Sequence, residues 1–171
     1  MRKLFFMACL ALLSAGLCVA ESPAEDPAEG FWLSVDERTG KTTAGWEIYL
    51  EKDGLLCGKM LSVADFPQTQ LAEVCKESYK GFPVSGAVNR MRVVGTPWIF
   101  GLHREKEGQW SGGNIINPED GKMYKCKIVY HKADGGKYKT DTLEMRGEIG
   151  LGIGRSQFWR KTTQPEAAAL R

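Results

Sequence analysis

The strongest constraint on the fold is a side-chain period of two. From Lys122 to His131, Tyr124, Cys126, Ile128 and Tyr130 fall on one face, and Met123, Lys125, Lys127, Val129 and His131 on the other. A strand turns successive side chains to opposite faces, whereas a helix of 3.6 residues per turn would scatter the same set. The pattern recurs from Ala44 to Glu51, with Ala44, Trp46, Ile48 and Leu50 together. It recurs again from Asp141 to Ile149, where Leu143, Met145, Gly147 and Ile149 oppose Thr142, Glu144, Arg146 and Glu148. Between these runs lie Lys52-Asp53-Gly54, Asn117-Pro118-Glu119-Asp120-Gly121, a polar tip from Ala133 to Lys139, and Gly150 to Gly154. Proline presets φ and glycine admits positive φ, so these are hairpin turns.

Further short strands are expected over Leu55 to Val63, with Leu56, Gly58 and Met60 inward, and over Val84 to Val94, which groups Ala87, Met91 and Val93. Trp98 to His103, Gln109 to Ile116 and Arg155 to Lys161 follow. Ala64 to Pro83 is the longest irregular stretch, with a helical turn expected from Gln68 to Lys76. The chain is therefore all-β, with about eight to ten antiparallel strands in one domain, residues 30–161. Sequential hairpins hide their edges most simply by closing into an up-and-down barrel, and a β-sandwich is the other arrangement weighed.

Composition matters at the N-terminus. Arg2 and Lys3 precede the apolar run Leu4 to Leu13 and then Ser14, Ala15 and Gly16, the order of a secretory signal peptide over residues 1–20. Cys18 and Ala20 suit the two cleavage-specificity positions, while Leu17 is a poor residue before a lipidated Cys18. A periplasmic or secreted protein is expected, with lipoprotein anchoring the lesser reading. Removing Arg2 and Lys3 from 23 basic residues leaves 21 against 21 acidic ones. A neutral mature chain has no broad footprint for nucleic acid, and no second apolar run is long enough for a membrane span. Residues 21–29, rich in Pro, Ala and acid, read as a flexible mature terminus, with order starting at Gly30. Residues 162–171 form a C-terminal tail, frayed or one helical turn.

Cleavage leaves Cys57, Cys75 and Cys126. These allow at most one intramolecular disulfide, and their spacing matches no zinc site. Cys57 and Cys126 read as small strand hydrophobes. Neither a metal nor a cofactor is expected.

Gly30-Phe31-Trp32 opens the ordered chain and Phe158-Trp159-Arg160 closes it. First and last strands of a barrel are neighbours, so a cation from one end can cap an indole from the other. The Gly-x-Trp start is similar to the lipocalin or calycin signature, and Arg160 or Arg155 would supply the capping arginine. A longer series resembles the DUF2147 family of exported bacterial proteins. It comprises Gly30-Phe31-Trp32, Asp53-Gly54 with Gly58, Gly86, Trp110-Ser111-Gly112-Gly113 with Ile115, Asn117 to Cys126, Leu143 with Arg146-Gly147, Ile149-Gly150, and Gly154-Arg155-Ser156-Gln157 with Trp159. The resemblance implies a lipocalin-like barrel and carries over no catalytic residues. Where many members have Cys-x-x-Cys, this chain has Cys75-Lys76-Glu77-Ser78, and Asn117 replaces the usual aspartate before Pro118. Gly95 to Glu107 looks longer and more aromatic than usual, an insertion expected at the barrel mouth.

A catalytic reading finds little to stand on. His103 and His131 are the only histidines, no Gly-x-Ser-x-Gly elbow occurs, and no carboxylate pair shares an inward face. The expectation is a binding protein and not an enzyme, with a small apolar or fatty-acid-like ligand held inside the barrel. Trp46, Ile48, Met60, Met91, Ile128, Leu143 and Met145 would line the site, and Tyr124, Tyr130 and Arg155 would supply polar anchors. Of the four arginines Arg90, Arg92, Arg146 and Arg155, the last two flank glycine-rich bends and are the candidates to meet a carboxylate. The rival is an envelope-protein interaction or inhibitory module acting through Ala64 to Pro83 and Gly95 to Glu107. A hydrolase using His103 ranks third.

Overall fold

The alternating runs form eight antiparallel strands. A computed structural model describes residues 25–150 and 152–171, so the leader lies outside the described residues. The strands are β1 (Gly30–Val35), β2 (Thr42–Leu50), β3 (Leu56–Val63), β4 (Pro97–Lys106), β5 (Gln109–Ile116), β6 (Met123–His131), β7 (Thr142–Gly150) and β8 (Ile153–Thr162). Each pairs with the next, and β1 pairs with β8, closing the barrel.

Closure is short. Only Phe31, Trp32 and Leu33 pair with Thr162, Lys161 and Arg160. Trp32 therefore faces Lys161 in register, and the Lys161 ammonium sits 4.5 Å from the centre of the indole. The cation expected there was Arg160 or Arg155. Register decides otherwise: Arg160 is exposed and donates to Thr42 Oγ1, and Arg155 lies far along β8.

The inward set fills one half of the barrel. Trp32, Ile48, Leu56, Ile99, Leu102, Ile128 and Leu143 are all essentially inaccessible to solvent. Leu102 reaches the lumen because β4 carries one extra residue: Leu56 pairs with Leu102, but Gly58 pairs with Ile99. Gly101, at φ +70°, absorbs that bulge.

A flexible terminus was expected for residues 21–29; residues 21–24 lie outside the described residues, and within 25–29 the chain packs against the barrel end. Asp26 is buried and accepts hydrogen bonds from the backbone N–H groups of Ala28 and Gly108 and from Trp110 Nε1. Arg104 Nε lies 3.2 Å from the same carboxylate. An acid-rich composition suggested solvation, but one acid satisfies donors that the barrel end would otherwise bury unpaired. The tail also docks. Helix α1 (Gln164–Ala167) is one turn with a Thr163/Glu166 capping box, and Ala167 O accepts from Ser62 Oγ at 2.6 Å.

Val84 to Val94 is not a strand, and Gln68 to Lys76 holds no helical turn. This segment contains a 3-10 turn at Val88–Arg90 and a single bridge between Leu71 and Arg92. Its apolar residues cover β4 from outside. Phe82 packs on Trp98 and Phe100, at 6.2 and 5.5 Å between ring centres, and Trp98 Nε1 donates to Val93 O. Gly95 to Glu107 is accordingly not a mouth insertion: most of it is β4, a strand of the wall. Cys57, Cys75 and Cys126 are each free and buried. Burial pushes all three thiols above the ordinary cysteine value.

Candidate functional site

Above the filled half, the barrel opens into a cavity of about 540 Å³. Its floor is aromatic. The rings of Trp46 on β2 and Trp159 on β8 stack at 4.9 Å with 22° between planes. Trp46 Nε1 donates to Ser34 Oγ, and Trp159 Nε1 to Gln157 Oε1. With both indole N–H groups spent on the wall, the rings are left to apolar contact. Met60, Ile115 and Met145 add flexible or branched apolar surface, and Gly147 leaves room where a side chain would project.

The rim is polar. It is built from the β1–β2 turn with Asp36 and Arg38, the β5–β6 turn from Asn117 to Glu119, and the base of the β7–β8 hairpin with Arg155. The Asp36 carboxyl is held below the usual carboxylate range, chiefly by the Thr39 backbone N–H and against an opposing desolvation. Tyr124 lines the same opening, and its hydroxyl donates to Asp120 Oδ2 at 2.7 Å, a bond that raises the phenol pKa. Arg155 makes no ion pair among the described residues and is exposed. Its strand neighbour Gly147 leaves the guanidinium free to meet an anion at the mouth.

Five of the ten residues expected at the site come together here: Trp46, Met60, Tyr124, Met145 and Arg155. Ile48, Ile128 and Leu143 share their inward alternation but sit in the filled half. Met91 lies in the outer segment, at the end of the 3-10 turn. Tyr130 is at the opposite end, edge-on to Trp32 at 6.4 Å, where burial and Asp141 push its phenol up to about 12. Arg146 points outward, bonded to Glu148 Oε1, Gly152 O and Ser156 Oγ, so it does not face the lumen. Gln157, Trp159 and Ser34 were missed, although the alternation Arg155, Gln157, Trp159 along β8 would have found two of them.

His103 is exposed on β4, away from the cavity, and His131 pairs with Glu144 on the outer wall at 2.9 Å. No group of three or more His, Cys, Asp or Glu side chains placed to hold a metal occurs among the described residues. Nor is any helix there long and apolar enough to cross a membrane.

Comparison with known proteins places this geometry. A solved structure described as "Protein HP1028 from the human pathogen Helicobacter pylori belongs to the lipocalin family" superposes with a TM-score of 0.62 at 16% identity, covering 81% of this chain and 85% of that one. At that identity the likeness concerns the fold, which is lipocalin-like. No curated protein matches. The model of DUF2147, described as an uncharacterized protein conserved in bacteria, matches residues 30–161, the whole barrel, and the chain belongs to that family.

Proposed function

We propose that this protein is an exported bacterial carrier that reversibly binds a small, mostly apolar molecule in the mouth half of its barrel. The observation that carries the reading is the cavity itself. Its volume of about 540 Å³ falls within the usual range for small-molecule sites, with a Trp46–Trp159 floor and a polar rim. A ligand with an apolar body would displace water from the indole faces, and an acidic end group would meet Arg155. Export rests on the leader sequence, residues 1–20.

The loop-based interaction reading rests on less of the chain than its two segments suggested. Gly95 to Glu107 is largely barrel wall, and Phe82 ties the preceding segment down on Trp98 and Phe100.

The test is titration of the mature chain with cis-parinaric acid, following probe fluorescence and quenching of the tryptophans, beside native mass spectrometry of the purified protein. Saturable one-to-one binding, weakened by Trp159→Ala and by Met60→Trp, is expected. Absence of saturable binding by this probe and by a matched long-chain alcohol, in a chain whose melting is cooperative, overturns the carrier reading.

A further inference from the structure

The tip of the β7–β8 hairpin is chemically unusual. Residues 149–154 read Ile-Gly-Leu-Gly-Ile-Gly, without one polar side chain. Hairpin tips are ordinarily built from Asn, Asp, Ser and Gly, because they stand in water. Here Ile149 and Ile153 are 72% and 62% exposed, the most of any large apolar residues described.

The tip stands clear of its neighbours. The β6 ladder stops at Lys125–Glu148, and β1 pairs with β8 only at Arg160–Thr162. Backbone groups on its two flanks nevertheless have partners. Gly150 pairs with Ile153 and Glu148 with Gly154, while Arg146 Nη2 donates to Gly152 O at 2.8 Å. A carbonyl bonded in this way needs less water, which lowers the cost of moving the tip into an apolar medium.

Charge is arranged to match. Glu148, at the foot of the tip, is countered twice, by Arg146 Nε at 2.8 Å and Lys127 Nζ at 3.4 Å. Arg155, at the foot of the other strand, has no such partner among the described residues. The hairpin thus presents an aliphatic point with uncompensated positive charge just behind it. Phe66, 49% exposed, lines the cavity mouth that this hairpin overlooks.

We propose that the Ile149–Ile153 hairpin is a membrane-docking element that seats the barrel mouth on a phospholipid surface. A convex aliphatic tip fits fluid hydrocarbon, which needs no matching shape, and a guanidinium behind it meets lipid phosphate. The inference goes beyond ligand carriage: docking requires only the hairpin, and the cavity can be empty or full.

Flotation of the mature chain with phosphatidylethanolamine/phosphatidylglycerol vesicles tests it. The wild-type chain is expected to float with the vesicles. The I149S/I153S pair is expected to weaken partition about tenfold or more, since two side chains then lose apolar transfer. Arg155→Gln is expected to flatten the salt dependence of binding. Because Ile149 and Ile153 do not line the cavity, I149S/I153S should keep its melting temperature and its uptake of cis-parinaric acid from solution. Vesicle binding that is absent in the wild type, or unchanged in I149S/I153S, overturns docking. So does a wild-type chain that self-associates through these residues without binding vesicles. Failure of docking with probe uptake intact leaves the carrier reading standing, whereas flotation without binding of either cis-parinaric acid or the matched long-chain alcohol overturns that reading alone.

Discussion

The ammonium of Lys161 stands 4.5 Å above the Trp32 ring and donates to Glu29 O at 2.7 Å. One side chain thus joins the last strand, the first strand and the segment that precedes it. Burial depresses the Lys161 pKa, and nearby Asp141, Glu25 and Glu29 act in the opposite direction. Lys161→Met keeps the aliphatic stem but loses the cation and the hydrogen bond. It is expected to destabilise the barrel by about 1 kcal/mol. Lys161→Arg should recover part of that. Urea unfolding of the three chains checks the order.

Asp26 tests whether the pre-barrel segment is part of the fold. Its carboxylate holds three N–H donors and faces Arg104. Asp26→Ala would leave Trp110 Nε1 and the Gly108 N–H without their partner, an expected loss of about 2–4 kcal/mol. Asp26→Asn retains one acceptor oxygen and should cost less. A chain beginning at Gly30 should lose at least as much as Asp26→Ala, because it also removes Ala28 O and Glu29 O, the acceptors of Trp32 Nε1 and Lys161 Nζ. If it melts like the full mature chain, residues 26–29 contribute nothing to closure.

Gly45 records where the tail lies. A Cβ there would come within 1.7 Å of the Ala167 carbonyl oxygen, so the helix must shift. Gly45→Ala is expected to cost about 1–3 kcal/mol by overpacking. The cost should disappear in a chain truncated after Thr162, where nothing remains to collide. A double-mutant cycle of thermal melts measures that coupling.

Much of the fold was legible because alternation reports a face directly. The runs Ala44 to Glu51, Lys122 to His131 and Asp141 to Ile149 all became strands with the expected faces inward, except that Leu50 and Ile149 at the strand ends are exposed. Alternation does not report height along the barrel axis. Ile128 and Tyr124 share a face, yet only Tyr124 reaches the cavity, because Ile128 sits in the filled half. Height depends on stagger between strands, which is set by pairings such as Trp46–Met60 and by the bulge at Gly101. The segment around Met91 failed for another reason. Its apolar residues answer to Trp98 and Phe100 on the outside of β4, a tertiary demand with no period of its own.

Glu144 gives a pH prediction. Burial alone would raise its pKa, but hydrogen bonds from Ser156 and His131, with Lys137 nearby, hold it below the ordinary 4.5. A depressed carboxylate pKa contributes stability that is present above the unfolded value and fades as pH falls through the folded one. Glu144→Gln should therefore cost about 0.5–1 kcal/mol at pH 7. The difference from wild type should shrink below about pH 4.5 and vanish once the wild-type carboxyl is protonated. Urea midpoints from pH 7 to 3 give the comparison, and a gap that widens on acidification would contradict it.

Gly147 separates binding from folding most cleanly. It faces the cavity on β7, and a Cβ would meet Tyr124 Cβ at 3.6 Å and Ile115 Cγ2 at 3.9 Å, ordinary contacts. Its φ is not in the left-handed region, so a side chain there is unstrained. Replacing a strand glycine removes unfolded-state freedom, so Gly147→Met should leave stability unchanged or raise it by about 0.5 kcal/mol. The new side chain would project into the cavity beside Tyr124 and Ile115, space that a ligand needs. Affinity for cis-parinaric acid is expected to drop about tenfold or more at equal or higher melting temperature. Because stability and affinity then move apart, unfolding cannot account for the loss. Undiminished affinity in a well-folded Gly147→Met chain would mean that the ligand lies elsewhere.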